Sequence, residues 1–119
     1  MIDIWVVVAI LWAHFVGDFI CQSDYHAVNK SKSNVVLLQH VLWYSLPLTV
    51  LGFIIPINFL WLIVNAILHG LTDYVTSRLT TKLWLAEKRH WFFVTIGADQ
   101  SIHFTCLFVS YYFLCSHLT

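Results

Sequence analysis

Three His/Asp pairs, His14–Asp18, His69–Asp73 and Asp99–His103, sit inside long apolar runs with their members four residues apart. At that spacing both side chains of a pair share one helix face. Ionisable groups at membrane depth are costly, and they face a bundle interior or a polar cavity, where they mark function by default. The pairs therefore constrain the fold. The apolar runs must be helices, and the helices must turn these faces toward one another.

Composition sets the solvent for the other faces. Of the 119 residues, 60% are apolar, 17% aromatic and 10% charged, against about 25% charged in a soluble domain. Too little polar surface remains to cover a globule, so the lipid bilayer is the expected surrounding. The length allows a single domain over residues 1–119. A net charge of zero gives no electrostatic ground for a nucleic-acid partner. The first apolar run lacks a basic leader and carries His14, Asp18 and Gln22, so it reads as a retained helix rather than a cleaved signal. Cys21, Cys106 and Cys115 show no CxxC spacing and read as small apolar fillers.

A hydrocarbon core of about 30 Å takes roughly 20 residues of helix. Four stretches meet this: 4–22, 35–55, 57–77 and 91–117. The fold class is accordingly all-α, a four-helix transmembrane bundle. Pro56 marks a turn between the second and third spans, Pro47 lies within the second, and residues 78–90 are expected to lie along the interface. All six basic residues, Lys30, Lys32, Arg78, Lys82, Lys88 and Arg89, fall in the two loops on one side. Positive-inside bias puts those loops in the cytoplasm and both termini outside, in a multi-pass protein of a bacterial inner membrane. Trp5, Trp84, Trp91 and Tyr25 read as interface anchors, as do His26, His90 and His117 as interfacial groups.

This topology places each Asp nearer the cytoplasm and its His about 6 Å deeper. The reversed order in Asp99–His103 is what an antiparallel helix needs to match the other two. The result is a layer of carboxylates over a layer of imidazoles, to which His40 adds a His from the second span. Asn65 and Thr76 extend the third polar face, Cys106 and Ser110 the fourth.

The ordered set His14-x-x-x-Asp18-Phe19-x-x-Gln22, Asn29-Lys30, His40, His69-x-x-x-Asp73 and Asp99-Gln100-x-x-His103 resembles the DUF3307 family, small bacterial and phage membrane proteins of unassigned function. The resemblance covers most of the chain. It implies that these polar residues are a family signature and supplies no activity. The segment after Asp73 departs from the family pattern, where a basic residue is expected before Arg78.

Imidazoles and carboxylates without clustered thiolates suit Zn²⁺, Mn²⁺ or Fe²⁺. The expected ligands are His14, Asp18, His69, Asp73, Asp99 and His103, enough for one ion with supporting groups or for two ions. Gln22, His40 and Gln100 are expected to support those ligands from behind, and Asn29 and Lys30 to meet an anionic headgroup at the mouth. In this reading the protein is a metal-dependent membrane hydrolase, with Asp18, Asp73 and Asp99 carrying the catalytic roles. Three other readings stand beside it. A His/Asp ladder also describes a proton or divalent-cation pathway, which four short helices would complete by homo-oligomerisation. One His per helix also permits bis-His haem ligation, although a carboxylate layer is an odd haem wall. The last is a satisfied buried network in a structural or accessory subunit of a larger membrane complex.

Overall fold

A computed structural model describes residues 1–118, and its regular structure in that range is helical, with no strand among the described residues. Thr119, the end of the expected domain, lies outside the described residues. Four helices form the body: α1 (Ile4–Phe15), α3 (Asn34–Leu51), α4 (Phe59–Leu85) and α5 (Arg89–Leu114), with a short α2 (Asp24–Asn29) between the first two. α1 packs on α3 and α5, α3 on α4, and α4 on α5, which closes a ring in which the α1–α5 seam is the thinnest.

The starts of the helices follow from capping chemistry. Asp3, Ser23, Ser33 and Asn58 each accept a bond from a backbone N–H of the first turn of α1, α2, α3 and α4. Three helices, α3, α4 and α5, are long and apolar enough to cross a membrane. The fourth apolar segment, Ile4–Ile20, is shorter than the expected 4–22 and is not uniform. Its last five residues, Val16–Ile20, form a wider π-helical turn that carries Gly17 and Asp18. Such turns concentrate at functional sites.

Other boundaries also differ from expectation. The second span ends at Leu51 rather than 55, because Gly52 begins a run of turns that leads through Pro56 to the Asn58 cap. Pro47 lies within α3 without ending it. The stretch 78–85, expected along the interface, continues α4 as helix. α4 stops where Glu87 takes the left-handed conformation, φ 57°. Glu87 N then donates to Trp84 O and Lys88 N to Leu83 O, the paired bonds of a Schellman stop. The chain turns straight into α5, and Arg89 stacks over Trp84 at 3.7 Å.

The bundle is divided along its length. Toward the end holding both chain termini, Ile10, Leu48, Trp61, Leu107, Tyr111 and Cys115 make a fully buried apolar core. Trp61 Nε1 donates to Leu107 O, and Tyr111 OH to Pro56 O, so the polar tips in this layer are satisfied. Toward the basic loops the interior is polar: His14, Asp18, His40, His69, Asp73 and His103 are all buried. Outward faces carry Trp, Phe, Leu, Ile and Val exposed along α1, α3, α4 and α5.

Candidate metal centre

Each buried polar residue is placed by a helix-packing contact. Gly17 lets α1 approach α3 closely, since a Cβ there would lie 2.5 Å from Tyr44 O. That approach points Asp18 inward from the π-helical turn, opposite His40 of α3. From α4, His69 and Asp73 project one above the other, and from α5 Asp99 and His103 do the same in reverse order.

One ligand atom each from Asp18, His40, His69 and Asp73 lie within 4.8 Å of one another, all four residues buried. His40 Nε2 is 3.2 Å from Asp18 Oδ1, 3.1 Å from Asp73 Oδ2 and 3.1 Å from His69 Nε2. His69 Nε2 is 3.6 Å from Asp18 Oδ1 and 3.5 Å from Asp73 Oδ2. Ligands about 2.0–2.2 Å from a tetrahedral ion stand roughly 3.3–3.6 Å apart, so these five separations have the scale of tetrahedral edges.

Proton counting makes the same point. Each Nε2 carries at most one hydrogen, yet each of these two faces two carboxylate oxygens and another ring nitrogen. Two N–H groups cannot satisfy five such contacts. A cation at the point where the lone pairs converge satisfies all of them. One cation already touches the cluster: Lys30 Nζ, from the end of α2, lies 2.7 Å from Asp73 Oδ2.

The rings are held by packing. His69 is stacked between Tyr44, with centroids 3.6 Å apart, and His103, with centroids 4.2 Å apart. The outward nitrogens His40 Nδ1 and His69 Nδ1 have no hydrogen-bond partner among the described residues. Ligating imidazoles normally give that N–H to an acceptor. For His69 stacking takes over the orienting role, while His40 meets His69 as a tilted ring.

A second group, Asp18, Asp99 and His103, adjoins the first and shares Asp18. His103 Nε2 lies 3.1 Å from Asp73 Oδ1 and 3.3 Å from Asp99 Oδ2. Gln100 Nε2 donates to Asp18 Oδ2 and Asp99 Oδ2, both at 3.1 Å. Its amide orientation is therefore fixed, and Oε1 accepts from His14 Nε2 at 2.9 Å. His14 Nδ1 is then the acceptor for Tyr44 OH at 3.2 Å. Thr76 Oγ1 donates to Asp99 Oδ1 at 2.6 Å.

The structure thus brings Asp18, Asp73 and Asp99 together in one pocket. His40, expected in a supporting position, stands in the four-residue group. His14, expected as a ligand, belongs to neither group and sits 3.8 Å from Asp18 Oδ2. Gln100 links three of the helical pairs' residues, and Gln22 lines the pocket mouth. Asn29 lies apart, its Nδ2 donating to Tyr25 O on the exposed face of α2. Lys30 points inward rather than outward. Two further residues of the site carry a sequence signal: Tyr44 lies one turn from His40 on the same face of α3, and Ser77 one turn beyond Asp73 on α4.

The pocket is a vestibule of about 180 Å³ opening toward the loops and lined by Asp18, Asp73, Asp99, Gln100, Lys30 and Ser77, among others. No His lines it, so carboxylates face the opening and imidazoles stand behind them. The expected layering is present.

Fold and site together define a helical bundle enclosing a His/Asp cluster that is geometrically able to hold a metal ion. Over residues 6–119 the chain matches the model of DUF3307, a protein family of unknown function, and it belongs to that family. No match was found among curated proteins or among solved structures.

Proposed function

We propose that this protein is a membrane-embedded, divalent-metal-dependent hydrolase, multi-pass, with its vestibule on the cytoplasmic side of an inner membrane and both termini outside. The observation that carries the metal reading is the convergence of Asp18 Oδ1, His40 Nε2, His69 Nε2 and Asp73 Oδ2 at 3.1–3.6 Å, with too few protons to explain it as hydrogen bonding. The membrane reading is supported by three long apolar helices and by Trp, Leu, Ile and Phe exposed around the bundle. Its long dimension of 47 Å exceeds a hydrocarbon core of about 30 Å, which leaves the basic end of α4 in the headgroup region.

A divalent ion here supplies Lewis acidity toward a scissile ester, amide or phosphoester group. Asp99 and His103 lie next to the four-residue group, 3.3 Å apart; with a single ion bound they are free to take and relay a proton. Lys30, against Asp73 Oδ2 at 2.7 Å, offers a positive charge to an incoming anion. A hydrolase needs access from one side only, and this centre has that form. The buried layer of Trp61, Leu107 and Tyr111 closes the bundle below it, which disfavours an ion path through a single chain.

Elemental analysis of detergent-purified protein tests the reading, with His40→Ala and His69→Ala variants alongside. Stoichiometric Zn, Mn or Fe in the wild type, lost in both variants, is the expected result. It then justifies assay of ester, amide and phosphoester substrates. Metal-free protein that is well folded sinks the proposal and favours a structural or accessory subunit with a buried polar network.

A further inference from the structure

We infer that Asp18, Asp99 and His103 form a second divalent-cation site, filled together with a phosphate-type anion, so that the substrates of this centre carry a phosphate group. The inference rests on the first ion of the proposed function. It starts from how the carboxylates divide their oxygens. Asp73 turns Oδ2 to His40 and His69, and Oδ1 to His103. Asp18 turns Oδ1 to His40 and His69, and Oδ2 to Gln100. Asp73 therefore presents one oxygen to each group, the disposition of a carboxylate bridging two ions, and Asp18 is common to both groups. His103 Nε2, with at most one hydrogen, faces Asp73 Oδ1 and Asp99 Oδ2 at once. In two-ion sites the ions stand about 3.5–4 Å apart and clamp the oxygens of a phosphoryl group.

Charge determines when the second ion enters. Asp18, Asp73 and Asp99 bring three negative charges and Lys30 one positive. One divalent ion beside neutral imidazoles leaves the buried cluster neutral. A second leaves two uncompensated positive charges out of water, which is unfavourable unless an anion comes with it. A phosphate dianion restores neutrality.

The vestibule is furnished for such a group. Lys30, with a side chain 15% exposed, lines it beside the hydroxyls of Thr76, Ser77 and Thr80. Ser77 is buried, and its Oγ has no hydrogen-bond partner among the described residues. An unspent hydroxyl donor at the wall of a pocket that two divalent ions would make cationic is what a phosphate oxygen requires.

Manganese content per chain, measured after equilibration and desalting, is the test. It is run on protein in neutral detergent, alone, with inorganic phosphate, and with phosphatidic acid in mixed micelles. One manganese alone and two with phosphate are expected, the second adding an exchange-coupled paramagnetic signal. Asp99→Asn, which keeps an oxygen for Thr76, and His103→Gln are both expected to stay at one throughout. Ser77→Ala is expected to raise the phosphate needed several-fold without touching the first ion. Response to both anions identifies phosphate chemistry open to either source, and response to phosphatidic acid alone identifies a lipid headgroup. A count fixed at one with either anion, or already two without any, overturns the inference. A count of zero in every arm removes the first ion as well and is distinguishable from both.

Discussion

Lys30 Nζ lies 2.7 Å from Asp73 Oδ2, the same oxygen that faces His40 and His69 at 3.1 and 3.5 Å. An ammonium and a divalent ion thus compete for one lone-pair region. At an effective dielectric near 20, unit charges about 4 Å apart interact by roughly 4 kcal/mol, so even partial relief is measurable. Lys30→Met is expected to tighten metal binding by about tenfold, read by competition with a chelator. Weaker binding in that variant means that Lys30 instead holds Asp73 in its ligating pose.

Asp73 touches both groups, which makes it the most connected carboxylate of the site. Asp73→Asn keeps the shape and removes the charge. Metal content is expected to fall below stoichiometric while the helical circular-dichroism signal stays. Full metal content in Asp73→Asn shows that Asp73 is not a required ligand.

The pairs at i, i+4 and their reversed order on α5 were legible in the sequence because helix periodicity and antiparallel packing are local rules. They give the layering of carboxylates over imidazoles without any tertiary information. The partition of roles was not legible. Whether His14 or His40 enters the four-residue group depends on the π-helical turn at Val16–Ile20 and on the Gly17–Tyr44 contact, which swing Asp18 toward α3. No periodicity encodes that. The end of α4 is not legible for a related reason: basic residues from Arg78 onward signal an interface but do not break a helix, and the break comes at Glu87. Charge pattern sets Lys30 at the mouth, whereas its inward reach to Asp73 depends on where α2 sits.

Two glycines give opposite signs. At Gly17 a Cβ meets backbone, 2.5 Å from Tyr44 O and 3.2 Å from Tyr44 Cα, and neither helix can yield without moving the site. Gly17→Ala is expected to cost about 1–3 kcal/mol, the range of core overpacking, and to weaken metal binding with it. At Gly97 a Cβ meets nothing within 4 Å. Gly97→Ala removes a helix-interior glycine and is expected to stabilise by about 0.5–1 kcal/mol. Thermal unfolding in detergent reads both, and equal responses refute the packing argument.

Tyr44 serves two neighbours by different means, its ring stacking on His69 and its hydroxyl donating to His14 Nδ1. Tyr44→Phe removes only the hydroxyl. The expected cost is about 1 kcal/mol of stability with metal affinity unchanged. Tyr44→Ala also frees the His69 ring, whose Nδ1 has no other anchor. Loss of an orienting contact typically lowers metal affinity about 10–100-fold, and that range is expected here. If both variants bind metal alike, stacking does not orient His69.

Gln100 is the only group bonded at once to His14, Asp18 and Asp99 among the described contacts. Its amide hydrogens are spent on two carboxylates and its oxygen on an imidazole. Replacement by Leu keeps the bulk and leaves three polar groups each short of one partner. Each such loss costs about 1–3 kcal/mol where water cannot compensate. Asp18 and Asp99 face the vestibule and can recover a water, but His14 is only 1% exposed and cannot. Gln100→Leu is therefore expected to destabilise by the cost of one orphaned group rather than three. Adding His14→Phe, which removes the orphan, is expected to return most of that loss. Additive losses in the double variant, measured by thermal unfolding in detergent, show that His14 and Gln100 are not coupled through this bond.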